Sequence, residues 1–532
     1  MVRVRAGGAS LRYRAGLHWL FTDDQLLKKP QAATCHFNKR RETLDRRQVP
    51  CKRSGMASEK TLNAKNLAAL GAERLAELVL DLAAGDAAAK RKLRLELASR
   101  TGGGDVAAEI RKRLVAIAKA RSFVDWRKIR VLAQDLETQR SAISTYVAPG
   151  APTEAFDLLW RMLAMAPSIY ERCDDSNGTI SNVIAMARAN LGVIGERAGL
   201  APSMLADRVF EGVVANKYGQ FDGLITLLAK PLGRDGLELL KAKFEKLAAQ
   251  PPVRPNPAER RMIGYGSSGP LYEDDISVLH HARTVQSALT DIADALGDVD
   301  GYAGCFSVQE RTNPATAARI AERMLAAGRA DEAMAALTLG EPQFRKGGHW
   351  PDWQRVWIDT LEALGRGADA QAERWAVFER SLNAEYLRAH IKRLPDFDDE
   401  EAEIRALAHV SQSASFHQAL TFLINWPAHD LAAKLVMERQ GELDGNYYEL
   451  LTPGAEALEQ RFPLAATLML RAMIDYSLIH ARSKRYGHAA RHLQTCEQLA
   501  KRIEDFGDRR DHSAYVAHLR KLHGRKTAFW NS

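Results

Sequence analysis

The chain has 532 residues, of which 46% are hydrophobic, so it can bury an extensive core and is not generally disordered. Its formal charge of +9 comes from residues 1 to 55, which hold 13 Lys/Arg against 4 Asp/Glu, whereas the two signs balance from Met56 onward. The neutral body gives no general argument for nucleic-acid binding. The 5 cysteines are widely spaced without a C-x-x-C pair, which argues against a disulfide scaffold and suits a reducing, cytoplasmic compartment.

Residues 1 to 55 are rich in arginine and show no sustained hydrophobic period. A transit peptide would be poor in acidic residues, but Asp23 and Asp24 depart from that pattern. A basic arm that binds phosphates is a second interpretation. The preferred one is a disordered extension that precedes the natural start at Met56, where the composition shifts abruptly to Ala, Leu, Glu and Lys. We expect this segment to be dispensable for folding.

Residues 56 to 249 show helical periods and predict an N-terminal helical domain. Its most basic stretch runs from 109 to 130, and four arginines there are candidate partner contacts: Arg111, Arg113, Arg121 and Arg127. The apolar residues expected to face the core are Ile110, Leu114, Ile117, Phe123 and Trp126. A solvated charged face is the favoured interpretation of the basic residues. A surface for nucleic acid or another anion is the alternative.

Residues 250 to 275 interrupt the helices and predict a linker loop rich in Pro and Gly. The segment from Gly264 to Gly269 matches G-x-G-x-x-G literally. A dinucleotide site needs a parallel strand before that motif and a helix N-terminus after it, and no such pattern surrounds it. We therefore predict a loop and no cofactor.

Residues 276 to 532 predict a second helical domain, in which repeats are clearest from 317 to 337. Apolar residues at helical spacing are interrupted at Gly328, and Asp331 is positioned to cap a following helix. Gly328-Arg329 and Gly365-Arg366 occupy similar breaks 37 residues apart. Three segments also repeat an Ala-Ala-x-x-apolar pattern, and they begin at Ala432, Ala465 and Ala489. Small residues let two helices approach closely, so the pattern predicts stacked helix pairs.

The segment AAGRADEA around Gly328, the turn Leu364-Gly365-Arg366 and the segment from Tyr486 to Ala490 resemble the tetratricopeptide superfamily. The chain from Met56 onward also looks like an uncharacterised family of long bacterial helical-repeat proteins. It lacks the regular array with an early Trp and a closing Pro. The resemblance implies an all-α fold, an α-solenoid of degenerate antiparallel helix pairs. It implies a binding protein and supplies no catalytic residues.

Trp350, Trp353 and Trp357 lie at i, i+3 and i+7, which places them on one face of a helix. Tryptophan side chains are frequent anchors at protein interfaces, so this stripe is a candidate partner site. Such stripes are more often part of a core, and that interpretation is favoured.

His488, His492 and Cys496 recur every four residues and would share one side of a helix. Two imidazoles and a thiolate are zinc ligands, so the three residues are weak candidates for a metal site. A fourth ligand, such as His480 or His518, would have to come from elsewhere in the fold, and the non-metal interpretation is favoured.

Function is predicted mainly by exclusion, because the sequence contains no G-x-S-x-G, H-E-x-x-H or P-loop. The best apolar run, from 464 to 479, is interrupted by Arg471 and Asp475 and is too short to span a membrane. The leading hypothesis is a non-enzymatic scaffold that binds a protein or peptide. A nucleic-acid-associated protein using the basic stretch is the first alternative, and a metal-binding protein is the second.

Overall fold

The computed structural model describes residues 62–101, 103–266 and 269–532, and it is almost entirely helical. The chain divides into two compact units after Gly85. In the first unit the described residues form α1 (Ala64–Ala68) and α2 (Ala72–Ala83). The extension predicted to be disordered, residues 1 to 55, lies outside the described residues.

The described residues in the first half of the second unit form eight α-helices before the Pro-rich segment and a short hairpin within it. In chain order these elements are α3 (Ala87–Thr101), α4 (Gly103–Lys119), α5 (Trp126–Ala142), a π-helical turn (Ile143–Val147), α6 (Pro152–Ala164), α7 (Ala166–Tyr170), α8 (Thr179–Gly195), α9 (Pro202–Val214), α10 (Leu224–Ala248), a 3-10 turn (Pro257–Glu259), β1 (Met262–Gly266) and β2 (Gly269–Tyr272). The helix α10 is kinked at Gly233, which follows Pro231.

The second half of this unit is a succession of helices. They are α11 (Glu273–Leu296), α12 (Val299–Gly304), α13 (Val308–Arg311), α14 (Pro314–Ala326), α15 (Ala330–Arg345), α16 (Pro351–Ala363), α17 (Gly367–Ser381), α18 (Ala384–Ile391), α19 (Asp398–Ser411), α20 (Phe416–Asn425), α21 (His429–Glu438), α22 (Tyr448–Leu458), α23 (Pro463–Ile479), α24 (Tyr486–Ala500), α25 (His512–His523) and α26 (Thr527–Trp530), with 3-10 turns at Gln440–Glu442 and Ser483–Arg485. Neighbours along the chain pack against one another, and the short connections make them antiparallel. The predicted all-α solenoid of helix pairs is confirmed.

One type of turn recurs where a helix ends. Gly297, Gly328 and Gly365 have φ values of 70°, 75° and 71°, a left-handed conformation that glycine adopts without a steric penalty. In each case the next amide reaches back to the helix, and the bonds are Asp298 N to Ala293 O (2.8 Å), Arg329 N to Met324 O (2.8 Å) and Arg366 N to Leu361 O (2.9 Å). The breaks seen in the sequence are therefore helix C-termini of one kind. The predicted role of Asp331 is wrong, because Arg329 precedes α15 and Asp331 lies in its first turn without a side-chain cap.

Two large cores and smaller clusters between them fill the second unit. The first core extends from Leu95 to Ile292 and the second from Phe378 to Phe529. Smaller apolar clusters lie between them, within residues 293 to 370. The first core crosses the Pro-rich segment, because Ala288 and Ile292 of α11 belong to it together with residues of α10. The Ala-Ala pairs that begin at 432, 465 and 489 are all buried in the second core, where α21, α23 and α24 pack.

The G-x-G-x-x-G segment is an antiparallel hairpin, so the expectation of a plain loop is wrong. Gly266 pairs with Gly269 and Met262 pairs with Tyr272. The helix that follows begins with three acidic residues, Glu273 to Asp275, which oppose binding of a phosphate at its N-terminus. This geometry lacks the parallel strand and the phosphate-binding helix end of a dinucleotide site.

Candidate partner-binding surface

The basic stretch of the sequence is not one helix, because an extended segment separates α4 from α5. Ile110, Leu114 and Ile117 of α4 are buried in the first core, as expected. Phe123 and Trp126 are instead 70% and 69% exposed, so their predicted place in the core stripe is wrong. The helical period of α4 does not continue through these two residues, because α4 ends at Lys119 and α5 starts at Trp126.

Backbone contacts fix this extended segment. The amide of Val124 donates to the carbonyl of Arg172 (2.8 Å), and the Arg172 guanidinium donates to the carbonyls of Ile117 (3.2 Å) and Ser122 (3.4 Å). Val124 packs against the first core. Because side chains alternate along an extended segment, burying Val124 directs Phe123 outward.

The start of α5 adds a second aromatic ring and several cations. The Asp125 carboxylate accepts the amide of Arg127 (2.8 Å) and so caps the helix. The Arg127 guanidinium lies 5.1 Å from the centre of the Trp126 ring, within range of a cation–π contact. We call the exposed set on this segment the aromatic–basic surface, and its members are Arg121, Phe123, Trp126, Arg127, Lys128, Arg130 and Val131.

Two of the four predicted contact arginines lie in this surface and two do not. Arg121 and Arg127 belong to it, whereas Arg111 forms an ion pair with Glu154 and Arg113 forms one with Asp135. The Asp135 side chain is buried and also pairs with Arg91 at 3.1 Å. The charges of Arg111 and Arg113 are thus partly neutralised within the protein.

The tryptophan stripe of α16 is largely internal. Trp353 is 3% exposed, stacks on Phe344 and Trp357 with ring centres 4.1 and 4.9 Å apart, and donates its indole N–H to the carbonyl of Leu337 (3.2 Å). Trp350 and Trp357 are half-buried against the same cluster. Trp353 is therefore a packing residue, and partner contacts by its two neighbours stay a prediction.

The weak metal candidates do not form a ligand set in the structure. Cys496 is fully buried, and burial raises the pKa of its thiol to about 12. His488 is exposed and its Nδ1 lies 2.9 Å from the Arg491 guanidinium. Across the described part of the chain, no group of three or more His, Cys, Asp or Glu side chains is placed to hold a metal ion.

The sequence pattern includes Lys128 and Arg130 only as part of the basic stretch from 109 to 130, gives no sign of Val131, and misplaces the two aromatic rings. One local signal was available, because Asp125 directly before a periodic segment is a helix-start signal. If a new helix starts at Trp126, the helical spacing of apolar residues in α4 cannot be continued through Phe123. Phe123 is then not expected to lie on the buried face of α4.

These features define an all-α helical-repeat protein that displays a cationic, aromatic strip before and at the start of α5. The chain belongs to a family of unknown function (DUF6880), whose model matches residues 57–532. No curated protein matches the chain. A solved structure described as a "Circular tandem repeat protein with novel repeat topology and enhanced subunit contact surfaces" is similar at 12% identity over 86% of this chain and 94% of that chain, with a TM-score of 0.12, too low to support a structural argument. None of the helices described is both long and apolar enough to cross a bilayer.

Proposed function

We propose that this protein is a non-enzymatic helical-repeat scaffold that binds an acidic segment of a partner protein on the aromatic–basic surface. The exposure of Phe123 and Trp126 carries the proposal, because large aromatic side chains are ordinarily buried in a folded protein. A partner that covers one such ring removes roughly 150–250 Å² of surface from water. Covering two such rings would therefore give a favourable apolar contribution, from which the entropic costs of association are subtracted.

The charged residues beside the two rings indicate that the partner carries negative charge. The segment from 121 to 131 holds four Lys/Arg and one Asp, and that aspartate is engaged by the backbone of α5. Carboxylates of a partner would complement these cations and would set its orientation and its rate of association. An acidic peptide with large apolar side chains meets both requirements.

Exposed aromatic rings between cations also suit single-stranded nucleic acid, which stacks its bases on such rings. The ion pairs of Arg111 and Arg113 weigh against that alternative, because they shorten the run of free positive charge. Nucleic-acid affinity depends strongly on the number of phosphates that are neutralised. The acidic peptide is therefore the favoured partner.

Two further parts of the proposal concern class and location. The similar breaks at Gly328 and Gly365, 37 residues apart, support a tetratricopeptide-like origin of the helix pairs. The three cysteines in the described residues, Cys173, Cys305 and Cys496, are free thiols, which supports a reducing, cytoplasmic location.

The test uses the full chain and synthetic peptides of about 15 residues, acidic throughout, with and without Leu, Phe or Trp. We expect micromolar binding of the acidic peptides that carry large apolar residues. The double variant Phe123→Ser/Trp126→Ser should weaken that binding about tenfold or more, which corresponds to roughly 1.4 kcal/mol. Charge reversal by Arg121→Glu/Lys128→Glu should weaken it most at low salt.

The matched control replaces two exposed apolar side chains elsewhere, Ile404→Ser/Leu522→Ser, which are 70% and 59% exposed in the native protein. This control should bind as the native protein does. Equal binding by the Phe123/Trp126 variant would refute the proposed surface. Tighter binding of single-stranded oligonucleotides than of every peptide, lost in that same variant, would replace the peptide with nucleic acid.

A further inference from the structure

A cavity of about 700 Å³ lies beside α23 in the second core, away from the aromatic–basic surface. Its walls come from α23, from the loop after α21, and from the segment that joins α24 to α25. The loop backbone lies directly against α23 at Gly445, where a Cβ atom would collide with the carbonyl oxygen of Ala472. The volume is in the range of sites for small ligands.

The guanidinium of Arg471 lines this cavity and is only 6% exposed. One of its terminal nitrogens donates to the carbonyl of Arg510 (2.7 Å), whereas its Nε and the other terminal nitrogen have no hydrogen-bond partner among the residues that the structure describes. Among the described residues it forms no ion pair, and the ring of Tyr515 covers it at 4.3 Å. A buried charge without a counter-ion is costly, so this guanidinium fits a site that an anionic group completes.

A carboxylate lies one helical turn further along α23. Asp475 is at i+4 from Arg471, a spacing at which opposite charges on a helix commonly pair. The two side chains do not pair directly, since Arg471 donates to the carbonyl of Arg510 and Asp475 accepts the hydroxyl of Tyr515 (2.8 Å), whose ring also covers the guanidinium. Burial raises the pKa of the Asp475 carboxyl, which shows that nearby positive charge does not fully offset its desolvation.

The charged side chains around the cavity balance in number. Three arginines and three aspartates line it, and they are Arg471, Arg509, Arg510, Asp444, Asp475 and Asp508. Arg509 is occupied by the carbonyl of Met437 (3.0 Å) and the side chain of Gln440 (2.8 Å). A neutral lining of separated charges favours a ligand of no net charge that carries both signs, and it disfavours a phosphate dianion.

We propose that this cavity binds a free α-amino acid or a closely similar zwitterion, with its carboxylate at Arg471 and its ammonium group at Asp475. The carboxylate would complete the hydrogen bonding of the guanidinium in the bidentate geometry that arginine favours. The remaining volume, bordered by Leu443, Tyr476 and Ile479, would hold the ligand side chain.

The test measures the thermal midpoint and the heat of binding of the full chain with each of the twenty amino acids in turn. Acetate, methylammonium and inorganic phosphate serve as probes that carry one sign of charge. We expect one or a few amino acids to raise the midpoint in a concentration-dependent manner, since a ligand that binds only the folded state stabilises it. The amide and the N-acetyl derivative of the same amino acid should have no effect.

Two variants test the two ends of the ligand separately. Arg471→Met and Asp475→Asn should each weaken binding about tenfold or more, as loss of one partner from a buried charged contact does. Arg482→Met and Asp430→Asn, on exposed residues outside the cavity, should leave the affinity unchanged. Circular dichroism checks that each variant is folded, and Asp475→Asn keeps the test valid if Arg471→Met does not fold.

The proposal is overturned if no amino acid shifts the midpoint at millimolar concentration, or if the shift survives in both folded cavity variants. It is also overturned if acetate or phosphate alone reproduces the shift and Asp475→Asn leaves it unchanged, because the site would then be one for simple anions. The Phe123→Ser/Trp126→Ser variant should retain amino-acid binding, so a failure of this proposal is distinguishable from a failure of the proposed scaffold function.

Discussion

The region from α16 to α18 and the segment from 119 to 131 are both rich in aromatic and charged residues, yet the structure uses them in opposite ways. In α16 to α18 the Trp353 ring stacks on Trp357 and on Phe344 of the preceding helix α15, and the buried Arg374 donates hydrogen bonds to Glu362 and Gln371. In the segment from 119 to 131 the rings and most cations face solvent. The residue composition of a segment therefore does not show whether its aromatic and charged side chains pack inside the protein or face a partner. Whether those side chains already have partners within the protein is the better indication.

The largest expected effect concerns the stacked tryptophan. Trp353→Ala removes a buried ring and its hydrogen bond to Leu337, and we expect the free energy of unfolding to fall by about 3–5 kcal/mol. Urea denaturation followed by circular dichroism measures the change. Trp353→Phe, which keeps much of the stacking, should lose clearly less. Similar small decreases in the free energy of unfolding for both variants would mean that the aromatic stack does not stabilise this region.

The second effect concerns the buried arginine. Arg374 is 4% exposed, and Arg374→Met leaves Glu362 with only its contact to Arg393 at 2.9 Å. We expect a loss of about 2 kcal/mol, because the substitution removes one of the two cations beside this partly buried carboxylate and also the hydrogen bond to Gln371. Arg366→Met, which removes an exposed pair with Asp369, should change the stability by less than about 0.5 kcal/mol. Equal losses in the two variants would contradict the distinction between internal and exposed charges.

The third effect depends on pH. His390 is buried, its Nδ1 donates to the carbonyl of Gln371 (3.2 Å), and desolvation lowers the pKa of its imidazole. Because the unfolded state then takes up a proton more readily, His390 should reduce the stability as the pH falls below about 6.5. The stability of the native protein relative to His390→Gln should therefore decrease as the pH is lowered from 7 to 5, by less than the loss expected for Arg374→Met. Parallel pH curves for the two proteins would show that the imidazole does not titrate differently on folding.

The smallest expected change in stability concerns the exposed segment from 119 to 131. Trp126 is exposed, and Trp126→Ala should change the free energy of unfolding by less than about 0.5 kcal/mol. The same substitution should still impair peptide binding, if the proposed function is right. A loss of stability near that of Trp353→Ala would show that the Trp126 ring packs against the protein in solution.

Much of the helical architecture was predictable, because it depends on local signals. Apolar residues at helical spacing and the glycines at 328 and 365 mark α14 to α17, since a left-handed turn residue ends a helix wherever it falls. The Ala-Ala pairs likewise identified close helix crossings, because a small side chain has few other roles in a core. The hairpin at 262 to 272 was not predicted, since its glycines match the G-x-G-x-x-G motif, which indicates a nucleotide-binding loop and not a pair of antiparallel strands.

The candidate sites were less predictable, because exposure and pairing are set by distant parts of the chain. Phe123 faces solvent because Arg172, about 50 residues away, holds the segment before α5. From the sequence alone, Arg471 and Asp475 indicate only that the apolar run from 464 to 479 is not a membrane-spanning helix. Their cavity is closed by residues between 440 and 515, and no periodicity indicates which of these meet in space.

The tether between Arg172 and the segment from 117 to 124 has a consequence for the kinetics of recognition. A loop that is already held in one conformation loses little conformational entropy when a partner docks. Association with the aromatic rings would then need no slow rearrangement of this protein, and the cations beside them would accelerate encounter with a negatively charged partner. Any slow step in complex formation would accordingly arise from ordering of the partner chain.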